Sequence, residues 1–384
     1  MALINKQKTS SITSLIDSFP LIVTTEILKH CQDYEILKKI QSASASINDL
    51  FTCPSQSVWK QLCHRNRYKY LLKKEARCLI KINKMVWETI YYQNWRVEMN
   101  WNKKIYEIVR LNCSDRRLVK MINGGTVLGL SIPVNSLNES VKIVDLKSGG
   151  KEIRSKLVSG QITSSCLQGG MLILGKNCGS MTIIKLSDNT QITVKFHSKE
   201  VTAIIMYDDY VISGDIGGQI IKSKDNDPIV LYQSDTGITG LHRKGQEIIA
   251  TTINGILIVI YFKKDESVGI RRFYFEEFGS INCITCTDNF IILGTDSGNL
   301  NILNNRKKQK AVRLLRNSPI TSIASNSKRI IAGHFDGTVT IYTIETEDIN
   351  VFEDGIGPIW SVGIDETSFV STSLNGEIII ASFL

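Results

Sequence analysis

The stretch IIAGHFDGTVTIY, Ile330 to Tyr342, decides the fold. Two apolar runs rich in Ile, Val and Thr flank Asp336-Gly337, a pair that tolerates the positive φ angles of a primed turn. It reads as a tight β-hairpin whose arms are buried on both sides. The same unit recurs as LILGKNCGSMTIIKL, VISGDIGGQII, IIATTINGILIVIYF, IILGTDSGNLNIL and FVSTSLNGEIIIASF. Its turn glycine falls at Gly179, Gly218, Gly255, Gly298, Gly337 and Gly376, at intervals of 39, 37, 43, 39 and 39 residues. Gly175, Gly214, Gly294 and Gly333 stand four positions ahead of their partners, with Thr251 and Thr372 at the other two places.

Each unit opens with a further apolar run: ITSSCL, VTAIIM, ITGL, INCITC, ITSIAS and IWSVGI. A fourth run often follows, such as ITVKFH. Four short strands in about forty residues is the signature of a β-propeller blade. One period before Gly179 lies Ser140, inside LNESVKIVDL, with TVLGLSI as the other arm across a longer loop. The count is then seven blades. The last repeat has three strands, and Ile105 to Leu111 (IYEIVRL) alternates suitably to supply the fourth. That strand would close the ring and leave no open edge.

These repeats resemble the WD40 family over roughly residues 105–384. The Trp-Asp pair that names the family is absent, with Val144-Asp145 as an echo, and Phe196-His197 stands where the family has Gly-His. His197 is accordingly expected to be a structural hydrogen-bonding residue rather than a catalytic one.

Composition bounds the rest. The chain has 384 residues, with 42% hydrophobic and 22% charged, which excludes a mostly disordered or collagen-like protein. The longest apolar stretch, Gly255 to Phe262, is far short of a bilayer-spanning helix, and the N-terminus MALINKQKTS is polar rather than signal-like. Nine cysteines without paired spacing suit reduced thiols and a cytoplasmic or nuclear location. The net charge of +9 is concentrated: residues 64–104 carry 11 Lys/Arg against three Glu, while residues 105–384 carry 29 of each sign.

Residues 12–63 read as a small helical domain. Ile27, Leu28 and Cys31, then Ile36, Leu37 and Ile40, recur at helical spacing, and Pro20 and Asp33 fall at plausible helix starts. Three short helices cannot bury all their apolar faces alone, so a partner is expected. The segment resembles an F-box: Phe19-Pro20 stands for the family's Leu-Pro, Ile27-Leu28 follows at its spacing, Leu37 and Ile40 match its second helix, and Trp59-Lys60-Gln61-Leu62 matches its closing tryptophan motif. The usual acidic and leucine positions after Pro20 are Ile22 and Thr24 here, and Ile47 replaces a customary tryptophan. Asn94-Trp95 matches a pair often found just before the propeller of F-box/WD40 proteins.

The resulting expectation is a mainly β chain: a helical F-box-like domain at 12–63, a basic helical linker at 64–104, and a seven-bladed WD40-like propeller at 105–384. The resemblance implies a substrate-recruiting subunit of an SCF-type ubiquitin ligase. Its F-box would dock a Skp-type adaptor of a cullin ligase through Phe19, Pro20, Ile27, Leu28 and Leu37. The alternative is a WD40 scaffold in a protein or RNA complex, with the basic linker and its Tyr68, Tyr70, Trp87, Tyr91, Tyr92, Trp95 and Trp101 touching nucleic acid. The plain reading of that linker is a helix pair with aromatics packed inward, because Leu71, Leu72, Leu79, Ile80, Ile82 and Val86 also need burial.

No catalytic constellation, cofactor or metal is expected. The five histidines have no metal-ligand spacing, and Cys283 and Cys286 sit on a predicted strand, facing opposite sides. Arg306 to Lys310 reads as a solvated loop rather than an import signal. Phosphate-reading F-box/WD40 receptors carry arginines just after the opening strand's first apolar residue, or two before the turn glycine. Here those positions hold Thr163, Thr202, Thr239, Asn282, Thr321 and Trp360, then Asn177, Ile216, Ile253, Asp296, Phe335 and Leu374. The absence of arginine argues against a phosphorylated target. The apolar residues Ile216, Ile253, Phe335, Trp360 and Leu374 are expected to hold a target protein instead.

Overall fold

In the computed structural model the chain forms two compact units, one of residues 1–107 with 383–384, the other of residues 108–382. The structure describes residues 34–42, 51, 58–65, 86–112, 116–122, 126–131, 138–145 and, apart from a few short loops, 151–383. Phe19, Pro20, Ile27 and Leu28 lie outside the described residues, as do Arg306 to Lys308.

The first unit is helical where described, with α1 (Tyr34–Gln41), α2 (Val58–Arg65) and α3 (Val86–Lys103). Val58, Trp59, Leu62 and Cys63 fall on one face of α2 and are buried with Leu37 of α1, Phe51 and Tyr91 of α3. Trp59 is central, its ring centroid 5.0 Å from Phe51, 5.2 Å from Tyr91 and 5.6 Å from Tyr34. The C-terminal part of the expected linker thus belongs to the core of the helical unit. Lys104 ends α3 at φ 56°, where the Ile105 N–H donates to the Asn100 carbonyl at 2.9 Å. Trp101 stacks on Phe383 with centroids 3.5 Å apart, and Asn100 Nδ2 donates to the Phe383 carbonyl at 3.0 Å.

The second unit consists of seven four-stranded antiparallel sheets. Six are built from consecutive strands, their first strands being Arg116–Ile122, Ile162–Gln168, Val201–Tyr207, Ile238–Lys244, Ile281–Cys286 and Ile320–Ser325. The seventh is composite. Ile359–Ile364, Ser368–Ser373 and Glu377–Ser382 are joined at the outer edge by Glu107–Asn112, from ahead of the first sheet. The strand starts two residues later and ends one later than its alternation suggests, and Arg110 pairs with Glu377 at 3.3 Å beside it. The first strands of neighbouring sheets pack side by side, and that of the seventh packs on that of the first, closing a β-propeller.

Both glycines of the repeat have physical causes. A Cβ at Gly214 would lie 2.8 Å from Ile238 Cγ2, the first residue of the next sheet, and Gly333 faces Ile359 in the same way. The first glycine is therefore where adjacent sheets approach most closely. The second needs positive φ: Gly218 sits at φ 87° with the carbonyls of Ser234 and Thr236 against it. Between sheets lie the apolar cores, for example Ile212, Ile220, Ile248 and Ile258 at the third and fourth. Each such buried side chain contributes about 1.5–3 kcal/mol.

A candidate protein-docking surface

The sheets share a feature that repeat counting does not reveal. In six of them the pairing of the first two strands skips one residue, namely Thr163, Thr202, Thr239, Asn282, Thr321 and Trp360. A bulge leaves this side chain out of the ladder and re-aims it. Most of these residues use that freedom to fasten the next sheet. Thr163 Oγ1 donates to the Val201 carbonyl at 2.7 Å, Thr202 Oγ1 to Ile238 at 2.5 Å, Asn282 Nδ2 to Ile320 at 3.1 Å and Thr321 Oγ1 to Ile359 at 2.6 Å. Thr239 bonds Thr251 Oγ1 within its own sheet, at 3.0 Å. Trp360 occupies the same bulge with an indole and stays 43% exposed.

The turn side of the same end is built as regularly. The backbone N–H groups of Asn177, Ile216, Ile253, Asp296, Phe335 and Leu374 each donate to the residue shortly before an opening strand: Gln161, Glu200, Gly237, Ser280, Pro319 and Pro358. Ile216, Ile253, Phe335 and Leu374 thus hold equivalent positions, and all are exposed, from 42% for Ile253 to 56% for Phe335. The topology groups them. Ile216 and Ile253 flank Gly237 between the third and fourth sheets. Phe335, Trp360 and Leu374 all lie where the sixth sheet adjoins the seventh, since Ile359 pairs with Ser373 and packs against Gly333. Asp296 stands between the two groups in chain order. Five of these positions expose a large apolar side chain and none holds an arginine.

Beneath the turns run buried polar residues. His197 Nδ1 is 3.0 Å from Asp215 Oδ2 and Nε2 is 2.7 Å from Ser213 Oγ, while Asp215 Oδ1 accepts the Gln219 N–H at 2.9 Å. Burial holds the imidazole below its ordinary pKa, outweighing the opposing pull of Asp215. His197 is thus a buried hydrogen-bonding residue. Thr252 and Thr295 cap their turns as Asp215 does, accepting the N–H groups of Ile256 and Asn299. Cys283 and Cys286 lie on Ile281–Cys286, and burial pushes the Cys286 thiol up to about 12. Both are free thiols.

The helical unit places Leu37 differently from its expected role. It is fully buried against Trp59 and Leu62, so it stabilises this core instead of facing outward, and its neighbour Ile36 is exposed. Tyr91 and Trp101 are buried, and Tyr34, Tyr92 and Trp95 pack on one another with centroids 4.6–6.1 Å apart.

No family model matches the sequence, and no curated protein matches it. Solved structures do match. The WD40 repeats of RRP9 align over 72% of this chain and 97% of theirs, at 14% identity and a TM-score of 0.59. The WD40 β-propeller domain of Doa1 aligns over 72% and 96%, at 14% identity and a TM-score of 0.58. A chain of the Mitotic Checkpoint Complex aligns over 71% and 90%, again at 14% identity and 0.58. Likeness at this level establishes the fold alone, a β-propeller.

Proposed function

We propose that this protein is a recruiting subunit that performs no bond chemistry and holds a target protein on the apolar end of its propeller. The observation that carries the reading is the set Ile216, Ile253, Phe335 and Leu374, exposed at equivalent turn positions, with Trp360 exposed at the opening-strand bulge of the same end of a closed ring. Large apolar side chains in water cost free energy that a partner recovers, and aromatic anchors of this kind dominate interface energetics. Binding is then weakly sensitive to salt and to phosphatase treatment of the target.

The finer reading makes the chain a substrate receptor of an SCF-type ubiquitin ligase, with the helical unit docking a Skp-type adaptor through Phe19, Pro20, Ile27 and Leu28. It rests on the F-box resemblance and on the tryptophan motif, whose Trp59 and Leu62 form the unit's core. The competing scaffold reading uses the basic stretch to hold nucleic acid; the packing of Tyr91, Trp95 and Trp101 leaves those rings less to offer bases. Affinity purification with the proteasome inhibited separates the two. Adaptor and cullin should co-purify with the wild type and be lost with Pro20→Ala/Leu28→Asp, while targets remain. Targets without adaptor or cullin would leave the scaffold reading.

A further inference from the structure

The outer strands of the third and fourth sheets meet along a seam, over the core that the two sheets share. Which side chains face it follows from register. In the third sheet Lys222 pairs with Ile229 and Ile220 with Tyr232. In the fourth, Ile260, Ile258 and Ile256 pair with Ile270, Arg272 and Tyr274. Cross-strand partners share a face of the sheet, and Ile220, Ile258 and Ile260 lie in the core between these two sheets. Tyr232, Ile270, Arg272 and Tyr274 therefore face the seam.

Two cations cross it in opposite directions. Lys222 Nζ lies 3.8 Å from the ring centroid of Tyr210 and 4.7 Å from that of Phe262, which belongs to the fourth sheet. Arg272 reaches back, its guanidinium carbon 5.1 Å from the ring centroid of Tyr232 in the third. Neighbouring cations are matched: Lys224 pairs with Asp209 at 3.5 Å, Arg243 with Asp208 at 2.9 Å and Arg271 with Glu247 at 2.8 Å. Lys222 and Arg272 have no such carboxylate among the described residues. The third and fourth strands of these sheets hold Lys222, Lys224, Arg271 and Arg272 against Asp227 alone, and Asp227 stands opposite Lys224 in the ladder. Beside the two unmatched cations, Ile229, Ile270 and Tyr274 are exposed, from 38% for Ile270 to 60% for Tyr274. The corresponding strands of the fifth and sixth sheets expose no large apolar side chain among the described residues.

We propose that this seam docks an acidic, extended polypeptide segment of a partner protein, at a surface that shares no residue with the apolar end of the ring. Val268–Tyr274 is the outermost strand of its sheet and pairs over its whole length without a bulge, so its outer edge offers main-chain groups to a further strand. The outermost strand of the third sheet is a poorer edge, because Pro228 lacks an N–H and a register shift interrupts the pairing. A segment laid on the Val268–Tyr274 edge turns alternate side chains towards the seam. Carboxylates among them pair with Arg272 and Lys222, and aliphatic side chains cover Ile270 and Tyr274. Nucleic acid is the less suited anion: Ile229 and Ile270 give bases nothing to stack on, and Arg272 already covers Tyr232.

The experiment measures fluorescence anisotropy of three labelled probes against the full chain: a short peptide alternating glutamate and valine, its counterpart with lysine in place of glutamate, and oligouridylate. The glutamate peptide should bind saturably and the lysine peptide should not, and raising the salt should weaken binding several-fold. Lys222→Met/Arg272→Met should weaken it by about tenfold, the worth of two exposed ion pairs. Tyr274→Glu, at an exposed position outside the core, should weaken it as well and decides alone should the double change fail to fold. Trp360→Ala/Phe335→Ala should leave it unchanged, which separates this surface from the apolar end. The proposal is overturned if the glutamate peptide fails to bind, or if it binds the folded seam variants as it binds the wild type. Oligouridylate binding in its place, and lost with the same variants, would overturn it equally.

Discussion

Thr321 Oγ1 donates to the carbonyl of Ile359 at 2.6 Å, and the residue that follows Ile359, Trp360, has no hydroxyl with which to do the same. The same bulge therefore serves as a clamp in one sheet and as a display position in the next. Removing the clamp is informative. Thr321→Val should destabilise the propeller by about 0.5–1.5 kcal/mol, the net worth of one such hydrogen bond, without changing partner capture. Urea unfolding followed by circular dichroism measures it.

Gly333→Ala tests the closeness of the sheets. The added methyl meets Ile359 Cγ2 and Val362 Cγ1 of the seventh sheet, so about 1–3 kcal/mol of stability should be lost to overpacking. Gly245→Ala has open space around it but a φ of 59°, so a smaller loss from backbone strain alone is expected there. Comparing the two midpoints separates crowding from conformation.

The last sheet borrows its outer strand from Glu107–Asn112. A chain beginning at residue 115 exposes the edge of Glu377–Ser382 and should be cut by protease near its C-terminus. A chain beginning at residue 100 should resist. Equal resistance would show that the strand adds nothing to the closure.

His197 makes stability depend on pH in a defined direction. Its folded pKa lies below the ordinary 6.5 because burial disfavours the charged ring. Between the folded value and 6.5 the unfolded chain binds the proton and the folded chain does not. Its stabilising contribution is complete above pH 6.5 and falls as the pH drops towards the folded value. His197→Gln should flatten this part of the curve in denaturation series run from pH 7.5 to about 5.

Much of this architecture was legible in the sequence, because the constraints are local. Asp336-Gly337 and Asn254-Gly255 declare their turns by composition, and the recurrence of Gly175, Gly214, Gly294 and Gly333 marks the sheet contacts. The exposure of Trp360 and Phe335 followed from the same register. The bulges were not legible. They are a property of pairing between strands, and a threonine such as Thr202 looks alike in a ladder or outside it. Leu37 shows the other limit: helical periodicity identifies an apolar face but not whether its neighbour is Trp59 of the same chain or a second protein.

The central claim is that Trp360 and Phe335 anchor a target protein. Quantitative affinity purification of the full chain, wild type against Trp360→Ala/Phe335→Ala, tests it most directly, with thermal melts to confirm that both fold. The account predicts that the double change removes a specific set of co-purifying proteins by tenfold or more, roughly the loss of two interface anchors at 1–2 kcal/mol each. Phosphatase treatment of the lysate should leave that set in place for the wild type. An unchanged set with the double variant, together with its loss on phosphatase treatment, would contradict the account.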